Sequence, residues 1–308
     1  MQVADSNQNK NEIYCIFCPK SMLRTAFSTK DRNRRVDDRI FTVMTCPFCG
    51  LGYTYPRLNL EELTHYYPLE YFSIDDNQKI EGIKHSRRYR QVRIARIKKY
   101  FSSGLLLDVG AGTGMFLKTA KENHYDVEGL EISKNAAQFG RSAWGLTIKE
   151  GDFENTSYPM NHYDIVTLGH VLEHLNDPIC AIRKLYSILK PNGLLVISVP
   201  NINSIQSILF RNKWFHLDIP RHLYHYSPSV LSSILDSAGF KIVEINYYSS
   251  EHNWVGILGS IMRLSPPDEF LLHKIVRKLI GSPIARTLAF LEALIRRGGT
   301  FELYAIKK

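Results

Sequence analysis

The sequence predicts an α/β protein in which a mostly parallel sheet carries helices on both faces, with a small cysteine-bearing unit in front of it. Three observations predict this. Beyond residue 104, apolar runs alternate with helical stretches, the pattern of strands buried on both faces. The first of those runs, Leu105–Val109, leads directly into the glycine loop Gly110-Ala111-Gly112-Thr113-Gly114. Two Cys-x-x-Cys pairs, Cys15/Cys18 and Cys46/Cys49, stand near the start of the chain.

Composition agrees. A chain of 308 residues with 44% hydrophobic and 22% charged residues can bury a sizeable core, which excludes a wholly disordered chain. No apolar run approaches the roughly 20 residues that span a bilayer. The polar stretch Met1–Lys10 has no apolar segment behind a basic one, so a cytoplasmic protein is expected.

The cysteine pairs come first in chain order. Cys15-Ile16-Phe17-Cys18-Pro19 and Cys46-Pro47-Phe48-Cys49-Gly50 are knuckle-like, and four thiolates suit a structural zinc ion. The 27 residues between the pairs exceed a usual zinc-ribbon spacer, so a long loop is expected there. Disulfides fit a cytoplasmic setting poorly. Cys180, on an expected helix, reads as a small core residue. This gives a zinc-binding domain over 1–60, connecting helices over 61–104 and a main domain over 105–308. Tyr66, Tyr67, Tyr71 and Phe72 mark the connection, followed by a helix over 81–101. Between Lys79 and Lys99 stand nine Lys or Arg against Glu81 alone, either a solvated face or an attractor of anions.

In the main domain we place strands at Leu105–Val109, Val127–Leu130, Thr147–Lys149, Ile165–Leu168, Leu194–Val199 and Lys241–Asn246, with Phe301–Ile306 closing the chain. Helices are expected at Met115–Asn123, Ser133–Gly140, Pro178–Leu189 and Pro228–Ala238. The glycine loop lets the backbone turn sharply and approach a ligand. Its G-x-G-x-G spacing differs from the G-x-G-x-x-G of dinucleotide sites. Asp108 before the loop suits a cationic, amine-bearing ligand. Glu131 ends the second strand, where a carboxylate can accept both hydroxyls of a ribose. A ribose, a positive charge and no phosphate together describe S-adenosylmethionine.

From about Leu105 to Asn246 the chain resembles the class I S-adenosylmethionine-dependent methyltransferases, notably the group with ubiquinone-pathway O-methyltransferases and sugar-modifying enzymes. The matching stretches are Leu106–Gly114, Gly129-Leu130-Glu131-Ile132-Ser133, Gly151-Asp152-Phe153, His170-Val171-Leu172-Glu173-His174-Leu175, Leu189–Asn201 and Arg221–Ser227. The resemblance implies a Rossmann-like seven-stranded sheet with an antiparallel last strand. It implies a cofactor site of Asp108, Gly110, Ala111, Gly112, Gly114, Glu131 and Ile132, with Asp152 on the adenine amino group and the Phe153 backbone at the ring edge. Gly169 and His170 would line the methionine side. The four-cysteine unit is similar to that of sugar C-methyltransferases acting on nucleotide-linked deoxysugars. A sugar or glycan precursor is therefore the first expectation for the acceptor, an anionic nucleotide sugar included. A quinone or lipid O-methyltransferase is the alternative.

Methyl transfer to a high-pKa oxygen or carbon needs a base. The candidates are His170 at the end of the fourth strand, His174 one turn on, and His222 on the loop after the fifth. Aromatics between Asn201 and Ile219, including Phe210, Trp214 and Phe215, would either stack a ring or form the core of a lid. Residues 249–299 form a helical insertion. Its stripe Leu272, Ile275, Val276, Leu279 and Ile280, edged by basic residues near 270–280, suits packing, a homodimer interface or acidic lipid. The run Ile284, Leu288, Leu291 and Ile295 repeats the pattern. Two rivals read less well. Nucleic-acid N-methylating relatives carry Asn/Asp-Pro-Pro-aromatic where this chain has Gly169-His170-Val171-Leu172. A non-catalytic scaffold should have lost the Asp108, glycine, Glu131 and Asp152 set.

Overall fold

The protein is seen as a computed structural model that describes residues 13–67, 76–249, 252–262 and 282–308. The chain opens with β1 (Arg24–Lys30), β2 (Ile40–Thr45) and β3 (Gly52–Tyr55), then α1 (Leu60–His65) and α2 (Asp76–Ile97). The spacer between the cysteine pairs, expected as a loop, is instead an antiparallel pair, with Ser28 opposite Thr42 and Lys30 opposite Ile40. Its alternation of Phe41 and Val43, both buried, with more exposed neighbours is the period of a one-sided strand.

The central sheet follows: β4 (Gly104–Val109), α3 (Met115–Lys121), β5 (Tyr125–Glu131), α4 (Lys134–Trp144), β6 (Thr147–Glu150), β7 (Tyr163–Gly169), α5 (Pro178–Ile188) and β8 (Leu189–Pro200). After α6 (Ile205–Phe210), β9 (Tyr224–His225) and α7 (Pro228–Ser237), it is completed by β10 (Phe240–Asn246) and β11 (Thr300–Lys307). The order is β10-β11-β8-β7-β4-β5-β6. The five strands from β8 to β6 are parallel, and β11 runs antiparallel between β8 and β10. Neighbouring residues of one strand feed opposite faces. Leu106 and Ile165 pack with Phe116, Leu117 and Ile94, whereas Leu107 and Val166 pack with Leu185, Leu231 and Leu235. Both faces are thus covered, as expected.

Local signals set the helix ends. Ser133 accepts from the Ala136 amide, Asp177 from that of Cys180 and Ser227 from that of Val230, with proline in the first turn of the latter two. Helix α4 runs four residues past Gly140. A Cβ at Gly140 would overlap Ile148 Cδ1, so this glycine marks close packing rather than a stop. Cys180 is exposed, against expectation. The buried stripe of α5 is Pro178, Ala181, Ile182, Leu185 and Ile188, and Cys180 lies off it.

The front unit shares its sheet with the main domain. Strand β9 joins as the fourth strand of β1-β2-β3-β9, pairing Gly52 with His225 and Tyr53 with Tyr224. A second core binds the same units: Trp214, Leu217 and Ile219 pack with Phe41, Val43, Leu63 and Tyr66. Trp214 is therefore core, with Phe210 packed against it. The basic run is not one solvated face either. Arg90 and Arg93 are buried, and Arg96 pairs with Glu244.

In the insertion, α8 (His252–Met262) and α9 (Ser282–Leu294) pack through Ile257, Leu258, Ala285 and Ala289. Ile284, Leu288, Leu291 and Ile295 are exposed, so the inward face lies one position on from the expected stripe. The stripe Leu272–Ile280 lies outside the described residues, as do Tyr71 and Phe72. Among the described residues, no helix is long and apolar enough to cross a membrane.

Candidate active site

A cavity of about 340 Å³ opens beyond the carboxyl ends of β4, β5 and β7, where open α/β sheets take their ligands. Gly110, Glu131, Asp152, Phe153, Gly169 and His170 line it, with Ile132, His174 and Tyr67. A larger open groove, about 670 Å³, follows the β10 edge and contains none of the glycine-loop, carboxylate or histidine candidates.

The loop after β4 is shaped by its neighbours. The Gly110 and Ala111 amides both donate to the Leu130 carbonyl, at 2.8 and 2.9 Å. Gly110 has φ +74°, and a Cβ there would overlap Val171 Cγ2. At Gly112, φ +53°, a Cβ would meet nothing within 4 Å, so the backbone leaves room for a ligand. Its amide donates to Glu131 Oε2 at 2.7 Å, and the Ser133 amide donates to Oε1 at 2.7 Å. Each carboxylate oxygen keeps a lone pair for a ligand hydroxyl. Asp152 is braced likewise, accepting from the Glu154 amide at 3.0 Å and Asn155 Nδ2 at 2.6 Å. These groups fit a ribose and an adenine edge.

Asp108, Ala111, Gly112 and Gly114 are not among the residues that line the cavity. Gly114 is a packing glycine, since a Cβ there would approach Leu146 Cδ1 to 2.5 Å. Asp108 is buried and accepts from Thr167 Oγ1 at 2.5 Å. Burial pushes its carboxyl up to about 6, with Arg93 and Thr167 opposing. Arg93, ion-paired with Glu302 at 2.7 Å, is buried beside it. An ammonium-bearing ligand favours the ionised form of Asp108. Affinity for S-adenosylmethionine is therefore expected to fall as pH drops below about 6, by at most about tenfold per unit, and to level above it. Calorimetry from pH 5 to 8 checks this. The slope should vanish in Asp108→Asn.

The three candidate histidines converge on Glu173, which is 1% exposed. His170 holds a left-handed backbone, φ +58°, rare for a side chain with Cβ and typical of constrained sites. Its Nδ1 lies 3.3 Å from Glu173 Oε1, and its buried Nε2 has no protein partner. Burial lowers the His170 pKa to about 4, so the ring is neutral at pH 7. His174 Nδ1 is 3.0 Å from the Arg221 carbonyl and 3.0 Å from Tyr67 Oη. A carbonyl only accepts, so Nδ1 carries the proton and Nε2 is the bare nitrogen. His222 is buried behind His174, with ring centroids 4.7 Å apart, and does not line the cavity. Its Nδ1 donates to the His216 carbonyl at 3.0 Å, and Nε2 lies 3.9 Å from both Glu173 Oε1 and Asp218 Oδ2. Burial raises Glu173 to about 7, so this carboxyl exchanges a proton near neutrality.

Sequence reasoning missed several members. His252, from the insertion, sits 4.4 Å from His170 ring to ring. Asp31 holds Arg221 through two contacts of 3.0 and 2.7 Å, both side chains fully buried. Neither residue lies in a motif, and only the tertiary pairing reveals them.

The four amino-terminal sulfurs lie within 4.8 Å of one another, Cys15 and Cys49 at 3.7 Å. Tetrahedral ligation with zinc–sulfur bonds of about 2.3 Å spaces sulfurs roughly 3.8 Å apart, so the set fits such an ion. Tyr53 Oη donates to Cys15 Sγ at 3.0 Å.

Two braced carboxylates beside a glycine loop, on a seven-stranded sheet with a reversed last strand, define the class: an S-adenosylmethionine-dependent methyltransferase fold. Residues 85–245, more than half of the chain, match the Methyltransferase domain family Methyltransf_23. The protein belongs to that family. Among curated proteins it is 28% identical over 153 residues to a ubiquinone biosynthesis O-methyltransferase of Nitrosospira multiformis, covering 46% of this chain and 64% of that one. It is 29% identical over 118 residues to a demethylmenaquinone methyltransferase of Staphylococcus epidermidis, covering 34% and 49%. The chain thus spans less than two thirds of the curated relatives it matches. A solved S-adenosylmethionine-dependent methyltransferase from Archaeoglobus fulgidus shares the fold at TM-score 0.51 and 24% identity, over 76% of this chain and all of that one.

Proposed function

We propose that the protein transfers a methyl group from S-adenosylmethionine to an oxygen or ring carbon of a ring-bearing small molecule. The observation that carries this is one cavity joining the Glu131/Asp152 cradle to the neutral His170 and to His174. S-adenosylmethionine supplies an electrophilic methyl on a good leaving group. The protein's share is alignment and proton removal. Glu131 and Asp152 hold the nucleoside, Asp108 sets the field for the ammonium, and the bare His170 or His174 Nε2 takes the acceptor's proton. The Glu173 carboxyl accepts or returns charge beside them. The four-cysteine cluster binds structural zinc in this reading.

The names of the similar proteins support a quinol-type ring as acceptor. A nucleotide-linked sugar is the second reading, favoured by the four-cysteine unit ahead of the core. Within the basic run Arg90 and Arg93 are buried and Arg96 is paired, while Arg87, Arg88, Lys98 and Lys99 are exposed. The test incubates the protein and S-adenosylmethionine with catechols, a demethylmenaquinol and nucleotide deoxysugars, measuring S-adenosylhomocysteine. Turnover with the quinols is expected. Turnover with sugars alone selects the second reading. Tight cofactor binding with no turnover on any of them leaves the scaffold reading.

A further inference from the structure

Two side chains ahead of the main domain, Thr54 of the front unit and Tyr67 of the connection, reach the histidine wall, and neither belongs to the matched methyltransferase stretch. Tyr67, which follows α1, lines the cavity and places its hydroxyl 3.0 Å from His174 Nδ1. Thr54 on β3 is 1% exposed, and its hydroxyl donates to the His222 carbonyl at 2.6 Å. With its hydrogen so used, the same oxygen accepts from His225 Nε2 at 3.0 Å. The Thr54 amide donates to the Leu223 carbonyl at 3.1 Å, and the Leu223 amide donates to the Glu173 carbonyl at 2.8 Å. One buried threonine therefore anchors the backbone of His222, the ring of His225 and, through Leu223, the Glu173 turn.

We infer that Tyr67 and Thr54 are positioning residues for methyl transfer, fixing the His174–His222 pair from outside the main domain. This rests on the reading of that wall as the proton-accepting side of the site. Geometry makes the consequence specific. Tyr67 meets Nδ1 of His174 alongside the Arg221 carbonyl, so it helps hold the ring with Nε2 bare. Thr54 sets where the His222 ring stands, because it fixes that residue's own carbonyl. The cradle carboxylates are braced by Gly112, Ser133, Glu154 and Asn155 instead, and Thr54 does not line the cavity, so cofactor affinity should not feel the Thr54 side chain.

The test uses the full chain with Thr54→Val, Thr54→Ser and Tyr67→Phe. Three readouts are taken: S-adenosylhomocysteine affinity, kcat with an acceptor from the panel above, and imidazole nitrogen resonances in histidine-labelled protein. Expected for Thr54→Val and Tyr67→Phe is a kcat lowered about tenfold, with affinity within about twofold in Thr54→Val. Thr54→Ser, which keeps the hydroxyl, should restore kcat to within about threefold. The His225 signals should move in Thr54→Val and those of His174 in Tyr67→Phe. Unchanged kcat and unchanged resonances overturn the inference, as does affinity falling in step with kcat in Thr54→Val or a serine that fails to rescue. Should no acceptor turn over, the function proposed above fails while the resonances still decide this point.

Discussion

Glu131→Ala is expected to weaken S-adenosylmethionine binding more than tenfold, a loss of at least about 1.4 kcal/mol. Two effects add. The ribose loses its acceptor, and the Gly112 and Ser133 amides lose the oxygens that hold the loop open. A buried amide left unpaired costs about 1–3 kcal/mol, so the loop should relax towards the cavity. Asp108→Ala should match the tenfold loss by another route, removing the carboxylate that faces Arg93 and leaving Thr167 Oγ1 unpartnered. Calorimetric titration of both variants, with thermal melts to confirm folding, measures this. Unchanged affinity in both would end the cofactor assignment.

The second large effect lies at the sulfurs. Freshly purified protein should contain about one zinc per chain, and Cys15→Ser with Cys46→Ser should abolish it. Zinc binding and folding are linked in small sites, so the front unit should lose much of its stability. The damage should travel. Cys15 contacts Tyr53, Tyr53 pairs with Tyr224, and Thr54 holds His222. Elemental analysis with proteolysis of the first 60 residues reads both effects. An absence of zinc from the unaltered protein refutes the assignment.

Much of the main domain was legible in the sequence because its signals are local. Apolar runs, caps and the glycine loop placed β4, β5, β7, α5 and α7 to within a few residues. Gly140 misled because a helix glycine looks the same whether it ends the helix or admits Ile148. The spacer between the knuckles misled because β1 and β2 are polar on their outer face, and their buried partners, Trp214 and Leu217, lie far along the chain. The cradle carboxylates and His170 and His174 could be placed from motif register alone. The burial of Glu173, the seat of His222 behind His174 and the buried ties from Asp31 and Thr54 depend on contacts that no spacing encodes. The fourth strand of the front sheet is such a contact as well.

That borrowed strand has a consequence for how the protein is made. Thr54 and His222 are 168 residues apart. At ribosomal rates of about 5–20 residues per second, the edge of β3 emerges roughly ten to thirty seconds before β9 exists to cover it. A bare strand edge invites pairing with other nascent chains. During synthesis the front unit must therefore wait unlatched, and slowing elongation between these codons should raise the share of product lost to aggregates.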